Sequence, residues 1–483
     1  MNRSILIYTV FIVLICNTKV LAQKTLQVPN IVLIIGDDIG INDFGCYGNK
    51  SVKTPNIDRI AREGLRFTNF YLTASSCSPS RTSIISGRYP HNTGAAELHT
   101  SISPSVAIFP ELLKNAGYYT AQSGKFHIGE SARRGFHVLR DKGVELGEGG
   151  EGSWLKTLQE RPKDKPFFMW LAAIDAHRPW RKNEFKGTNT SEGIMPPPYL
   201  ANTEKTRMDM ASYHDEISRF DHYIGLVENE LKSQGVLNNT IIIIMSDNGS
   251  AFPRAKSRVY DSGMQTPFII KWNNKIKKGK VTSSLVSAID IAPTLLNLAG
   301  VSVPAGFQGK SFHRVLQNPS LQFRNYVFSE HNWHDYEAME RMVRTKDHLY
   351  VLNLRPALSN PGPADITSSP AFEDLKALRD SGKLSLPQAD VFIAPRPAEE
   401  LYDCQRDPMQ LVNVSSSLLY AKQLKQLREV LKKWKMDTED TYPENITKDW
   451  FNREDGTPLT NPGKRGEMPG GKNAITSLGK GPF

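Results

Sequence analysis

The sequence predicts an α/β fold, in which a mixed, mainly parallel sheet is sandwiched by helices and a smaller α+β subdomain follows at the C-terminus. Apolar runs typical of buried strands alternate with amphipathic segments typical of helices. Several of these runs end in polar clusters, and open α/β sheets bind ligands beyond the carboxyl ends of their strands. Of 483 residues, 39% are hydrophobic and 23% charged, which excludes a collagen, a coiled coil or a wholly disordered chain.

The elements follow one another in a regular order. Residues 30–35 form a continuous apolar run, which predicts a buried strand that stops at Gly36-Asp37-Asp38. From Met210 onward apolar residues recur every three or four positions, which predicts a helix with Gly235 at its C-cap. Further strands are expected at residues 65–71, 118–122, 167–174 and 240–245, and further helices at 57–65, 109–116 and 418–434.

The N-terminus predicts export. Residues 1–22 have the form of a secretory signal peptide, with Arg3, an apolar run over residues 5–16 and Val20-Leu21-Ala22 before the cleavage point. This run is too short to span a bilayer and no later run is long enough. We therefore expect no integral membrane segment and a periplasmic or secreted protein, or a lysosomal one in a eukaryote.

Composition divides the remaining chain into three parts. We expect a main domain over residues 23–340, a C-terminal subdomain over residues 341–456 and an extended tail rich in Gly, Pro and Lys over residues 457–483. Lys and Arg number 60 and Asp and Glu 50, so the formal net charge is +10. This surplus favours an anionic substrate or surface, but no Lys/Arg-rich block indicates binding of nucleic acid.

A group of polar residues surrounds Cys77. Pro79 near a helix start and Gly87 near its end predict a short helix whose N-terminus presents the cysteine. Free backbone N–H groups and the helix dipole favour an anion there, and Arg81 adds a permanent positive charge one turn further on. Without the signal peptide three cysteines remain, an odd number that excludes a fully paired disulfide scaffold.

The run Cys77-Ser78-Pro79-Ser80-Arg81, followed by Thr82-Ser83 and Gly87-Arg88, resembles the signature of the type I sulfatases of the alkaline-phosphatase superfamily. The resemblance implies an alkaline-phosphatase-like fold and makes residues 23–340 the catalytic domain. It also implies oxidation of Cys77 to formylglycine (3-oxoalanine) by a formylglycine-generating or anaerobic sulfatase-maturating enzyme. Further similarity covers most of the chain, notably residues 124–129, 246–249, 256–263, 290–296 and 400–408.

The same resemblance implies one metal site. Two residue pairs resemble the metal ligands of the family: Asp37 and Asp38 after the first strand, and Asp247 and Asn248 after a later one. A formylglycine hydroxyl at Cys77 is the further ligand that the resemblance implies. These oxygen ligands suit Ca²⁺, or alternatively Mg²⁺, and argue against zinc. One acidic pair at a strand end is usually a solvated cap, whereas two pairs beside an anion-binding helix favour a metal.

The mechanism of the family implies a role for each remaining polar residue. The metal and Arg81 help to lower the proton affinity of the attacking hydroxyl. Lys125 and Lys256 hold the sulfate oxygens as charge redistributes. His177 is the expected acid for the leaving group, and His127 is the expected base in the step that expels sulfate.

The expected substrate is a sulfated polysaccharide or its oligosaccharides. Five stretches resemble the N-sulfoglucosamine sulfohydrolase (heparan N-sulfatase) branch, at residues 76–81, 175–178, 219–221, 246–253 and 369–375. Asp175 and Arg178 are expected to bind sugar hydroxyls or carboxylates, and His331 and His334 to line a sugar pocket, with interdomain packing as the alternative for the last two. Relatives of this branch remove O-sulfates from algal polymers such as ulvan, so N-sulfate and O-sulfate both stay open.

Two other functions are compatible with the sequence. One is a phosphodiesterase or phosphonate hydrolase of the same superfamily, which usually needs a second metal site for which no spare Asp/His cluster is evident. The other is a non-catalytic polysaccharide-binding protein in which Cys77 stays a thiol. Every expected catalytic position is filled, which favours the enzyme.

Overall fold

The computed structural model describes residues 28–180, 184–471 and 474–483, and the predicted signal peptide over residues 1–22 lies outside them. The strands of the main sheet and two short strands beside it are β1 Asn30–Gly36, β2 Leu65–Phe67, β3 Phe70–Tyr71, β4 Tyr119–Gly124, β5 Val138–Arg140, β6 Phe167–Ala172, β7 Thr240–Ser246, β8 Phe268–Trp272, β9 Lys280–Thr282 and β10 Val286–Ser287. A second sheet contains β11 Val327–His334, β12 Tyr336–Arg344, β13 His348–Asn353 and β14 Glu399–Asp403. The helices are α1 Pro55–Glu63, α2 Cys77–Ser86, α3 Phe109–Asn115, α4 Trp154–Gln159, α5 Glu204–Ser233, α6 Asp261–Met264, α7 Ile291–Leu298, α8 His313–Gln317, α9 Ala364–Thr367, α10 Pro370–Asp380, α11 Leu386–Ala389 and α12 Ala421–Asp437.

The main sheet has the strand order β5-β4-β6-β1-β7-β8-β2-β9 in the described part of the chain. β1 pairs in parallel with both β6 and β7, whereas β8 runs antiparallel to β7 and β2. The three central strands are buried along their whole length, which explains why their sequences are continuous apolar runs. The predicted mixed, mainly parallel sheet is therefore confirmed.

The long helix α5 packs its apolar face on this sheet. Thr203 caps its first turn by accepting a hydrogen bond from the N–H of Thr206. The helix starts at Glu204, before the predicted start at Met210, because its first turns carry polar residues and lack the apolar repeat. It ends at Ser233, with Gln234 rather than the predicted Gly235 at its C-cap. Gly235 follows with a φ of +70°, the left-handed conformation that stops a helix. No helix among the described residues is long and apolar enough to cross a membrane.

The smaller sheet is antiparallel, in the order β11-β12-β13-β14, and α12 packs against it. It begins at Val327, whereas the sequence placed the subdomain boundary between residues 340 and 341, inside β12. β11 and β12 are both almost wholly buried, so no change of composition marks the point where the second sheet starts.

The C-terminal tail is mostly without regular structure, but it packs against the main domain. The buried guanidinium of Arg88 donates to the carbonyl oxygens of Ile475 and Ser477, both at 2.9 Å. The Asn92 amide donates to the carbonyl of Ala474 at 2.7 Å. The tail is therefore attached next to the end of α2, the helix that starts at Cys77.

Candidate active site

Two neighbouring strands bring the acidic pairs to one point. β1 and β7 pair with Gly36 opposite Ser246, so Asp37 and Asp247 leave the sheet side by side. The N–H of Asp38 donates to Oδ1 of Asp247 at 3.3 Å. One possible ligand atom from each of Asp37, Asp38, Cys77 and Asp247 lies within 4.8 Å of the others. The structure thus collects residues that are up to 210 positions apart in the chain.

Cys77 opens helix α2 beside these carboxylates. Its side chain is buried, and Sγ lies 3.5 Å from Oδ1 of Asp37, to which the thiol donates. Burial raises the pKa of the Cys77 thiol well above its ordinary value, so the thiol stays protonated. An unmodified thiolate nucleophile is therefore disfavoured at this position.

Three cations balance the three carboxylates. The pairs are Arg81 Nε with Asp247 Oδ2 at 2.7 Å, Lys125 with Asp37, and Lys256 Nζ with Asp38 Oδ2 at 2.7 Å. Burial alone would raise the pKa of Asp37, but the positive charges around it outweigh burial and hold that pKa well below its usual range. Burial raises the pKa of Asp247 to about 6 in spite of Arg81.

The donor set fits a hard divalent cation. Oδ1 of Asn248 is buried and has no hydrogen-bond partner, while Nδ2 of the same side chain donates to Asp38. Together with the three carboxylates this oxygen forms the all-oxygen set that Ca²⁺ and Mg²⁺ prefer. Because the local charges are otherwise balanced, a divalent cation makes the site positive and suited to an anionic substrate.

The position of Lys125 depends on the glycine before it. Gly124 has a φ of +92°, and a Cβ there would lie 1.8 Å from the carbonyl oxygen of Ala172 on β6. The close approach lets the N–H of Lys125 donate to that same carbonyl at 2.9 Å. Arg81 then donates through Nη1 to the carbonyl of Lys125 at 3.0 Å, which fixes both cations beside the carboxylates.

Lys256 also connects His177 with an acidic residue that the sequence analysis did not identify. Lys256 Nζ lies 3.0 Å from Nε2 of His177 and 3.0 Å from Oδ2 of Asp365, on the short helix α9. The lysine is fully buried, whereas the side chains of His177 and Asp365 are 28% and 23% exposed. Asp365 follows His177 by almost two hundred residues, and no local motif marks it.

Asp38, His177 and Asp365 also form a second cluster of possible metal ligands, which the sequence had not shown. The ammonium group of Lys256 contacts all three side chains, so a positive charge already occupies its centre. A third cluster consists of His91, Glu330 and Asp440. There the histidine is bonded to Glu330 and the Asp440 carboxylate to Arg341, which indicates a structural ion-pair network.

His127, two residues after Lys125, has a histidine as its partner. His127 Nε2 and His99 Nδ1 are 2.7 Å apart, while His127 Nδ1 is buried without a hydrogen-bond partner. His127 lies in a recognisable motif of the sequence, whereas His99 is a single histidine in a loop and carries no such signal.

Asp175 and Arg178, predicted to contact sugar, are instead engaged in buried ion pairs. Both carboxylate oxygens of Asp175 accept hydrogen bonds from Arg219, at 2.7 and 2.5 Å. Arg178 pairs in the same bidentate way with Asp209, at 2.9 and 2.5 Å. Both residues are less than 10% exposed, and their contact with a sugar stays a prediction.

The two histidines predicted to line a sugar pocket are both buried on β11. His334 shares a hydrogen bond of 2.9 Å between Nδ1 and Oγ of Ser76, the residue before Cys77, and burial lowers the pKa of His334 well below its usual value. Burial and the charge of Arg258 lower the pKa of His331 to about 3. Of the two, His334 therefore has direct contact with the helix that starts at Cys77.

Comparisons with family models agree with this arrangement. The sulfatase family model matches residues 29–143 and 153–301, and the model for the C-terminal part of N-sulphoglucosamine sulphohydrolase matches residues 254–352. These two matches cover the acidic pairs, Cys77, both lysines and both predicted catalytic histidines. Neither model extends to Asp365 or to the C-terminal tail.

Individual proteins show the same relationship. The chain is 30% identical to human N-sulphoglucosamine sulphohydrolase, over 86% of this chain and 91% of that protein. It is 28% identical to an ulvan-active sulfatase of Formosa agariphila, over 90% of this chain and 81% of that protein. A solved structure, described as a complex with its substrate D-glucosamine-2-N,6-O-disulfate, matches with a TM-score of 0.64 and 22% identity over 85% of this chain and 98% of that one. This protein is a member of the sulfatase family and a hydrolase of sulfate esters or sulfamates.

Proposed function

We propose that the protein removes sulfate groups from a sulfated polysaccharide or its oligosaccharides, with Cys77 matured to formylglycine as the nucleophile. The observation that carries the proposal is the convergence of Cys77 with three carboxylates and three cations at the carboxyl ends of β1 and β7. Such a site combines a position for a hard metal with positive groups for an anion. The family match and the names of the two relatives support sulfate as the group removed.

Asp37, Asp38, Asp247 and Asn248 would hold one Ca²⁺, or Mg²⁺, beside residue 77. Hydrated formylglycine would supply a hydroxyl that can attack sulfur, and a metal held by these residues would supply positive charge that lowers the proton affinity of this hydroxyl. Arg81 and Lys125 face the same point and bind sulfate oxygens, with Lys256 on the far side of Asp38.

Two histidines are assigned to proton transfer. His177, next to the ammonium of Lys256, donates a proton to the leaving oxygen or nitrogen of the sugar. His127 accepts a proton through its unpartnered Nδ1 in the step that expels sulfate. The Asp365 carboxylate pairs with Lys256 and so supports the position of this ammonium.

The bond that is cleaved is the open part of the proposal. One relative is named for an N-sulphated sugar and the other for ulvan, so sulfamate and sulfate ester are both candidates. A phosphonate or phosphodiester substrate has less support, because Lys256 fills the centre of the second acidic cluster.

Two further parts of the proposal concern maturation and location. A formylglycine-generating or anaerobic sulfatase-maturating enzyme is required as a partner that oxidises Cys77. The predicted signal peptide over residues 1–22 supports export, to the periplasm or out of the cell, or to a lysosome in a eukaryote.

The test combines mass and turnover. The protein is produced together with a maturation enzyme, and the mass of the peptide that contains Cys77 is measured. We expect the mass of formylglycine, and turnover of an aryl sulfate that is absent in Cys77→Ala. A panel of N-sulfated and O-sulfated oligosaccharides then identifies the bond. A matured protein that hydrolyses phosphate or phosphonate esters but no sulfated compound would overturn the proposal.

A further inference from the structure

We propose that His127 and His99 form a two-histidine proton relay from the Cys77 cleft to solvent, in which His99 is the positioning residue that orients His127 and receives its proton. The inference rests on the proposed function, because it concerns the proton that His127 accepts when sulfate is expelled. It adds a residue that neither the motifs nor the family resemblance identified.

The first observation is the arrangement of the four ring nitrogens. Nε2 of His127 and Nδ1 of His99 are 2.7 Å apart, so one of them donates to the other. Nδ1 of His127 is buried and has no hydrogen-bond partner, whereas the His99 side chain is exposed. A chain of hydrogen-bonding groups therefore leads from a buried nitrogen to water.

The second observation is that the backbone holds both histidines in an uncommon conformation. The φ angles are +53° for His127 and +62° for His99, in the left-handed region that only a few per cent of non-glycine residues adopt, although histidine does so more often than most. Such conformations persist only where the surrounding contacts impose them, and they concentrate at functional sites.

Contacts between two loops impose this geometry. The N–H of Ile102 donates to the carbonyl of Ile128 at 3.3 Å, and a Cβ on Gly129 would lie 2.3 Å from Oγ of Ser101. The two loops therefore pack so closely that only glycine fits at position 129, immediately next to the histidine pair.

The His99 segment is also hydrogen-bonded to helix α2, which starts at Cys77, and to the C-terminal tail. The N–H of His99 donates to Oγ of Ser78, the residue after Cys77, at 2.9 Å. Arg465 of the tail donates to the carbonyl of Leu98 at 3.0 Å. His99 is thus fixed relative to Cys77 by contacts that do not involve its ring.

The electrostatic environment explains why one histidine would not suffice. Burial, then the charges of Lys125, His99 and Arg81, lower the pKa of His127 to about 2, against the opposing effect of Asp37. An imidazolium at His127 is therefore costly, and a proton taken up at Nδ1 has to leave from Nε2 in the same step.

The exposed ring is the better place for that proton. Burial, Arg465 and Lys125 also lower the pKa of His99, but water reaches this ring and can accept its proton at once. The charged groups that act on the two histidines are therefore Lys125, Arg81 and Asp37 beside Cys77, and Arg465 in the tail.

The passage of one proton changes the tautomer of both histidines. His127 starts with its proton on Nε2, donated to Nδ1 of His99, and with a free lone pair on Nδ1. When Nδ1 accepts a proton from the cleft, the Nε2 proton passes to His99 Nδ1, and His99 releases its own Nε2 proton to water. After sulfate has left as the dianion, the reverse passage of one proton, from water through His99 and His127 to water that refills the site, restores both starting tautomers.

The decisive variant is His99→Asn. Asparagine adopts the left-handed conformation readily and places its amide near the position of Nδ1, so it can orient His127 but cannot transfer a proton. We expect kcat to fall about 100-fold, the scale of one general acid–base contribution, with KM nearly unchanged. His99→Ala should show a similar loss, and added imidazole should restore part of its kcat but not that of His99→Asn. His222→Asn, an exposed histidine on α5, is the matched control and should keep wild-type kinetics.

A measurement without turnover examines the starting tautomer. In Cys77→Ala labelled with ¹⁵N-histidine, NMR should show the His127 proton on Nε2, and the same in Cys77→Ala with His99→Asn. A proton on Nδ1 of His127 would overturn the relay. So would wild-type kcat in His99→Asn, which would reduce His99 to an orienting residue. Absence of sulfatase turnover in the matured wild type would instead overturn the proposed function together with the relay.

Discussion

At the scale of single residues, charge balance decides which side chains can take part in chemistry. Asp37, Asp38 and Asp247 each have a cationic partner, half-buried in the case of Lys125 and buried in the other two, so none of the three is an uncompensated buried charge. Asp175 and Arg178 also have charged partners. Arg219 occupies both carboxylate oxygens of Asp175, and Arg178 is paired in a bidentate way with Asp209. Residues of the same type can thus differ in function. Those whose hydrogen-bonding atoms are all occupied by protein partners hold the structure together, whereas those with free atoms can bind a ligand.

Asn248→Ala tests the proposed metal site. The change removes the unpartnered Oδ1 and leaves the three carboxylates in place, so Ca²⁺ should bind at least about tenfold more weakly. Calorimetric titration of Cys77→Ala with and without Asn248→Ala measures this effect. The exposed Asn238→Ala serves as the control, and equal affinity in all three proteins would show that Asn248 is not a ligand.

At the scale of elements, two glycines have nearly the same backbone conformation but different surroundings. Comparing them distinguishes the cost of backbone strain from the cost of a steric clash. Gly124 and Gly117 have φ angles of +92° and +93°. A Cβ on Gly124 would meet the carbonyl of Ala172, whereas a Cβ on Gly117 would meet nothing within 4 Å.

Gly124→Ala should therefore destabilise the protein by several kcal/mol more than Gly117→Ala, whose cost of about 1 kcal/mol reflects the backbone conformation alone. Chemical denaturation of both variants measures the difference. Activity should fall only in Gly124→Ala, because its clash displaces Lys125. Equal losses of stability would mean that β4 and β6 can separate without cost.

The long helix α5 carries a second element-scale effect, in its buried His214. This side chain is 1% exposed, and burial lowers the pKa of His214 from 6.5 to about 4. Between these pH values the unfolded chain binds a proton that the folded chain excludes, so the free energy of unfolding falls as the pH falls from 6.5 to 4.

His214→Gln should remove this part of the acid sensitivity, worth up to about 3 kcal/mol between neutral pH and pH 4. Urea unfolding at pH 7 and pH 4.5 measures the slope. His222→Gln lies exposed on the same helix and should keep the wild-type slope. If His214→Gln has the same acid sensitivity as the wild type, other groups control it.

At the scale of the whole molecule, the second sheet and the tail complete the site that the main sheet begins. α9 supplies Asp365 to Lys256, β11 supplies His334 to Ser76, and the tail contacts the His99 loop through Arg465. The site is therefore formed by segments distributed from β1 to the last thirty residues.

Deletion of residues 457–483 should destabilise the main domain by about 3 kcal/mol or more, because buried Arg88 loses its carbonyl partners in the tail. The same deletion made in Arg88→Ala should cost clearly less, since the contacts are already absent. Chemical denaturation of the four proteins completes this cycle. Additive losses would show that Arg88 and the tail act independently.

The sequence by itself was sufficient for the fold class, because buried parallel strands and an amphipathic helix leave local patterns in β1, β7 and α5. It also identified Cys77 and the acidic pairs, since these lie in short motifs at strand and helix ends. It did not indicate where the second sheet begins, because β11 is as buried as the strands of the main sheet and no change of composition separates them.

Only the tertiary structure decided which polar residues meet. Asp365 and His99 have no local signal, and their roles follow from contacts with Lys256 and His127 across loops and sheets. Asp175 and Arg178 lie in a motif, but Arg219 and Asp209 on α5 complete their hydrogen bonding. A motif specifies which chemical groups are present, whereas the partners that engage or release these groups come from distant segments, and packing alone brings them within hydrogen-bonding distance.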